Sequence, residues 1–172
     1  MIPFRSSTLL LLLVVVMTLV GAMPVSAQDL ERTLESPRIV DVTDADTVTL
    51  EYGPEGERET NRVRFAGIDA PESDQPYGYQ ATAYMMDRIR ASESLTVRVE
   101  KDTGRWERLV GVLYLDGASL NRWLVEQGHA WVYDHYNDDP RLPEVEKKAR
   151  AEGRGLWSMD DPTPPWEWRQ NH

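Results

Sequence analysis

RFAGIDAPE, residues 64–72, decides how this chain is read. It is the end of a longer run, Thr60 to Ile68, in which Val63 and Phe65 alternate with Arg62, Arg64 and Ala66. Strand side chains alternate between faces, so the apolar pair points to a core and Arg64 points away from it. Pro71 then fixes its own φ and pushes Ala70 into an extended conformation. A strand therefore runs into a rigid bend that presents Asp69, the Ala70 carbonyl and Glu72 at set angles. One carboxylate of such a pair can hold a cation while the other accepts a proton. The plainer reading is a strand end with solvated acids.

Working outward, Ile39, Val40 and Val42, then Val48 and Leu50, form two short β-type runs before this one. Gly53-Pro54-Glu55-Gly56 is a turn cluster. Tyr77 to Ala91 has Ala81, Tyr84, Met85 and Ile89 at helical spacing. Leu95 to Val99 and Leu109 to Leu115 are strands, the second ended by Asp116-Gly117. Ser119 to Gln127 is a helix with Leu120, Trp123 and Leu124 inward and Gly128 closing it. Pro143 to Ala151 is a charged helix ended by Gly153. The expected fold is mainly β with helices (α+β): a five-stranded, mostly antiparallel, closed barrel of the OB type with about three helices. The Pro- and Trp-rich tail, residues 159–172, reads as an extended appendage.

The first 27 residues are not fold. Arg5 gives a positive start, Leu9 to Val20 an apolar run, and Val25-Ser26-Ala27 a small-residue cleavage site. This is the pattern of a secretory signal peptide cut after Ala27. The apolar run is about a dozen residues, short of the roughly 20 that span a bilayer; an uncleaved anchor is the rival reading. The expected organisation is a signal peptide (1–27), an N-terminal arm (28–37), a single domain (38–158) and the tail. The chain is then secreted or periplasmic, monomeric, and free of stable membrane association once cleaved. It has no cysteine, so its stability rests on packing rather than disulfides.

The 172 residues carry a net charge of −10, and loss of residues 1–27, whose one charge is Arg5, makes it −11. A general nucleic-acid coat protein needs a positive footprint, which this balance opposes, although a local basic cleft is compatible with it.

DADT, Asp44 to Thr47, places two carboxylates at a bend between strands. Hard cations such as Ca2+ take carboxylate and carbonyl oxygens; the rival is an Asx-type turn in which aspartate bonds its own backbone. Arg64 and the run Arg105-Trp106-Glu107-Arg108 supply guanidiniums, the side chain suited to a phosphodiester whose charge grows in the transition state. For each arginine alone, a surface ion pair is the commoner explanation. The absence of cysteine and the scattering of His129, His135 and His172 argue against zinc.

DADTVTL, RFAGIDAPE, ERLVGVLYLDG, LNRWLVEQGHAWVY and ARAEGRGLW, in this order, resemble the staphylococcal nuclease (thermonuclease) family over Arg38 to Trp157. The resemblance implies an OB-type barrel and a Ca2+-dependent nuclease acting on DNA and RNA, single-stranded or frayed, and leaving 3′-phosphate ends. It implies Asp46, Asp69 and the Ala70 backbone carbonyl as metal ligands and Asp44 as an outer acidic neighbour. Glu72 resembles the residue that orients or deprotonates the attacking water; Arg64 and Arg108 resemble the phosphate-binding arginines. Tyr136 matches one of two tyrosines that cover the nucleotide, Asp134 stands at the other position, and Arg105 is a further substrate-binding candidate. Ala45 replaces a usual glycine, and Trp106-Glu107 replace a usual Tyr-Gly before the second arginine. The competing function is a non-catalytic single-stranded nucleic-acid-binding OB module, and a third reading is an envelope-tethered interaction protein.

Overall fold

The computed structural model describes residues 32–103, 108–134 and 137–172. Within them lie nine strands and four helices. The strands are β1 (Arg32–Thr33), β2 (Arg38–Asp44), β3 (Thr47–Tyr52), β4 (Glu59–Phe65), β5 (Ile68–Asp69), β6 (Leu95–Asp102), β7 (Arg108–Leu115), β8 (Ala118–Ser119) and β9 (Trp131–Val132). The helices are α1 (Gly78–Arg90), α2 (Leu120–Glu126), α3 (Leu142–Ala151) and α4 (Pro165–Asn171). A 3-10 turn over Gly155–Ser158 precedes α4. The signal-peptide reading lies outside the described residues.

One sheet runs β1-β6-β7-β4-β3-β2, with β8 added to β7, and β5 pairs with β9 apart from it. All pairings are antiparallel except β4 with β7, where Arg62 faces Arg108 and Phe65 faces Gly111. The architecture is the expected α+β, OB-type one, with two corrections. The hydrogen-bonded strand path is open rather than closed among the described residues. Its two edges, β1 and β2, are nonetheless joined by residues 34–37, which span at most about 3.6 Å each. Within that link Leu34 N–H reaches the Val97 carbonyl at 2.9 Å, and Glu35 C=O accepts from Gly53 N–H at 2.8 Å. The sheet therefore curls until its edges meet through a loop. The second correction is the fourth helix. Pro165 sits in the first helical turn, where proline's missing N–H costs nothing and its φ is already helical, so the tail read as extended is helical instead.

The core lies inside the curl. Val48, Leu50, Val63, Phe65, Val97, Val99, Leu109 and Leu113 face it from the strands. Ala81 and Met85 of α1, and Leu120 and Leu124 of α2, close it. Tyr84, at helical spacing with Ala81 and Met85, is half-exposed. Gly111 is required by close approach: a Cβ there would run into the Arg98 backbone of β6. Asn121, buried in α2, pins the corner between β4 and β5. Its Nδ2 donates to the carbonyls of Ala66 (2.9 Å) and Gly111 (3.2 Å), and its Oδ1 accepts from Leu113 N–H (3.1 Å). That corner delivers the chain to Asp69.

Candidate active site

The β2–β3 hairpin is tight, with Asp44 opposite Thr47. Asp44 Oδ1 accepts from the Asp46 N–H at 3.0 Å, which is the Asx-type turn foreseen as a rival to a cation site. The two readings prove compatible, because the turn uses Asp44 and leaves the Asp46 carboxylate pointing inward. The Phe65 N–H donates to the Asp46 carbonyl at 2.8 Å, which sets the turn beside the end of β4.

Arg64, on the outer face of β4, joins the two aspartates of the separate motifs. Its Nη1 donates to Asp46 Oδ1 at 2.9 Å, and its Nη2 is hydrogen-bonded to Asp69 Oδ1. Asp46 also accepts from Thr47 Oγ1 (2.8 Å) and from the Ala70 N–H (2.6 Å), so DADT and IDAPE are stitched together directly. Asp69 is held by the pairing of β5 with β9, opposite Trp131. Asp44, Asp46 and Asp69 are all buried, the last two to 1% exposure or less.

Crowding and burial of carboxylates dominate the electrostatics. Burial is the largest influence on Asp46 and pushes its carboxyl up, to about 8. Arg64 and the Ala70 N–H pull it down, while Asp44 and Asp69 push it further up. Burial works against the charge on Arg64, yet Asp46, Asp69 and Asp44 outweigh it and hold the guanidinium above its usual range. Three buried aspartates and Glu72 thus face two guanidiniums, the half-buried Arg64 and the more exposed Arg169, and crowded carboxylates of this kind favour a further cation.

Glu72 projects from the loop that leads to α1. The loop is set by Gly78, where a Cβ would collide with the Glu72 carbonyl. Gln75, also buried, fixes it further: its Oε1 accepts from the Glu72 N–H at 3.1 Å. Arg62, Arg64 and Arg108 lie on one face of the β4–β7 pair, because Arg62 and Arg108 are register partners and Arg64 is two residues on. With Asp44, Glu72, Thr43 and Tyr133 they line a cleft of about 490 Å³. The Arg108 carbonyl accepts from Thr103 Oγ1 at 2.9 Å, which anchors the start of β7.

Two sequence candidates, Arg105 and Tyr136, lie outside the described residues. Three residues of the cleft escaped sequence reasoning. Arg62 was legible from strand alternation with Arg64. Tyr133 and Arg169 were not: Tyr133 lines the cleft and meets Trp166 of α4 at 5.9 Å between ring centroids. Arg169, also in α4, donates to Asp69 and Glu72.

The donor set suits a hard divalent cation by its chemistry, being carboxylate oxygen and backbone carbonyl. Among the described residues no three acidic or histidine side chains converge closely enough to hold a metal ion unaided. A cation here would complete its shell with water or phosphate oxygens, as Ca2+ and Mg2+ commonly do.

The model of the family described as staphylococcal nuclease homologue matches residues 62–159. An Escherichia coli O157:H7 protein described as an uncharacterized endonuclease is 42% identical over 134 residues, 77% of this chain and 83% of that one. A Haemophilus influenzae protein with the same description is 34% identical, covering 77% and 72%. A Shigella flexneri protein named micrococcal nuclease is 34% identical over 143 residues, covering 77% of this chain and 79% of its own length. A family match over more than half of the chain, joined to relatives that align along most of their length, makes this chain a member of the staphylococcal nuclease family.

Proposed function

We propose that this protein is an exported, Ca2+-dependent nuclease that hydrolyses phosphodiester bonds of DNA and RNA and leaves 3′-phosphate ends. The observation that carries the proposal is the pair of hydrogen bonds that Arg64 donates, one to Asp46 and one to Asp69, beside Glu72 and Arg108 in one cleft. The relatives' names, endonuclease and micrococcal nuclease, support the reaction class. The product ends and the choice of Ca2+ follow from the family resemblance.

Asp46, Asp69 and the Ala70 carbonyl would hold the cation. Bound there, it would supply positive charge to a phosphate oxygen as a Lewis acid. Glu72, whose side chain is about 30% exposed, orients a water and takes its proton as that water attacks phosphorus. Arg64 and Arg108 neutralise charge that grows on the phosphate oxygens as the P–O5′ bond breaks, and the departing 5′-oxygen takes its proton from water. Arg62 extends the basic strip along the strand and meets a neighbouring phosphate of the strand. Tyr133 offers a ring for a base at the cleft edge. Residues 1–27 direct export and are removed after Ala27; among the described residues no helix is long and apolar enough to cross a membrane.

The deciding experiment follows cleavage of single-stranded DNA by residues 28–172 with Ca2+, with a chelator, and in Glu72→Gln. Cleavage is expected with Ca2+ alone, lost on chelation, and reduced by about 10²- to 10⁴-fold in the variant. Strand binding without cleavage under any divalent cation would establish the binding-module reading instead. A folded Glu72→Gln protein with full activity would remove the base assignment.

A further inference from the structure

Arg169 enters the site from far along the chain, 97 residues after Glu72 and 100 after Asp69. Its Nη1 donates to Glu72 Oε1 at 2.6 Å and to Asp69 Oδ1 at 3.1 Å, and its Nη2 donates to Asp69 Oδ2 at 2.7 Å. Asp69 is fully buried beneath it, while the Arg169 side chain keeps 40% of its surface exposed. The guanidinium therefore lies over the carboxylates like a lid on their solvent side.

The segment that carries it is docked by specific contacts. The buried side chain of Gln75 donates from Nε2 to the Thr163 carbonyl at 2.6 Å, while its Oε1 holds the Glu72 N–H. One amide thus ties the tail to the very loop that carries Glu72. Pro165 is buried, and Trp166 rests on Tyr133 at the cleft edge. Arg169 lies beyond the residues matched by the family model, which end at 159.

We propose that α4 is a built-in strap that competes with the divalent cation, with Arg169 occupying Asp69 and Glu72 until the cation displaces it. This inference rests on the reading of Asp69 as a cation ligand. Arg64 and Arg169 share Asp69 Oδ1, and Arg169 takes Oδ2. A cation on Asp69 must therefore break the Arg169 contact or sit against a like charge. The strapped state also occupies the base, since Glu72 Oε1 is taken by Arg169 Nη1 and is not free to orient a water. Coupling is reciprocal: if the docked strap weakens cation binding, the cation loosens the strap by the same factor.

Calorimetric titration of Ca2+ into the full chain tests this, comparing the wild type with Arg169→Gln and Trp166→Ala. Arg169→Gln is expected to bind Ca2+ about tenfold more tightly, within the usual range of such couplings. Trp166→Ala, which loosens the dock but keeps the guanidinium, is expected to shift affinity the same way by less. Tryptophan fluorescence of the wild type should change as Ca2+ saturates, and Trp166→Ala should lose the share of that change that comes from Trp166 among the six tryptophans. Equal or weaker Ca2+ binding by Arg169→Gln overturns the strap alone. Absence of Ca2+ binding in every protein overturns the cation reading and the strap with it.

Discussion

At one end of the loop from Asp69 to Gly78, three buried aspartates surround a guanidinium; at the other, a buried histidine is surrounded by rings. His129 stacks on Tyr84 at 4.7 Å between centroids, lies 5.4 Å from Trp123, and has its Nδ1 3.0 Å from the Tyr77 hydroxyl. Burial pushes the His129 imidazole down to about 4 and the Tyr77 phenol up to about 12. Both groups are therefore neutral near pH 7. Here the fold removes charge from the interior, the cheap solution for a group no reaction needs. In the aspartate cluster it buries carboxylates side by side and surrounds them with donors, and burial pushes the Asp46 carboxyl up to about 8 against the pull of Arg64. Burying carboxylates together is costly and packing does not require it, so the cluster marks the region where chemistry is expected.

The contrast is broken most severely at Arg64. Arg64→Met leaves Asp46 and Asp69 buried without their shared partner, and removing one member of a buried pair costs about 3–5 kcal/mol. Urea unfolding followed by tryptophan fluorescence should show that loss, together with a fall in cleavage on the order of 10³-fold or more. A loss of activity with unchanged stability would mean that the aspartates do not depend on Arg64.

The loop between the two regions is the next place to press. Gly78→Ala forces a Cβ into the Glu72 carbonyl, so either the loop or the start of α1 must move. Overpacking of this kind costs about 1–3 kcal/mol. Displacing Glu72 should lower kcat by more than the folded fraction falls, and activity measured where the variant is fully folded separates the two effects.

The aromatic side responds to acid. His129 has a folded value near 4 against 6.5 for the free side chain. Unfolding therefore takes up a proton between those limits, and stability rises with pH across that window. The His129 contribution is complete above pH 6.5 and is lost as pH falls toward 4, a change on the order of 1–3 kcal/mol. Urea midpoints measured from pH 7 to 4 should show this limb in the wild type and a flatter one in His129→Phe. An identical limb in both proteins would assign it to the carboxylates.

Much of this was legible in the residues. The face on which Arg64 lies follows from two-residue alternation with Val63 and Phe65, and the Asp69–Glu72 bend follows from Pro71. Both are local consequences of backbone sterics. The strand runs and the first three helices were legible for the same reason, since period and turn residues act within a few positions. Trp123 packs against the core as its spacing implies, whereas the spacing of Tyr84 marks a face without saying how deeply it sinks. In the fold, the half-exposed Tyr84 covers His129 instead. The tail was misread because its prolines suggested extension, whereas Pro165 begins a helix.

By itself, then, the sequence determined the order of the five long strands and the first three helices, the OB-type class and the two charged motifs, which are properties of short stretches with fixed periods and rigid bends. Tertiary structure decided what no short stretch encodes. It brought Asp46 against Ala70, 24 residues apart, through a single hydrogen bond. It used Asn121 to pin the corner that feeds Asp69. It carried Arg169 onto Asp69 and Glu72 across nearly the length of the domain. Such contacts depend on how the sheet curls and where the tail docks, and no periodicity in the chain carries that information.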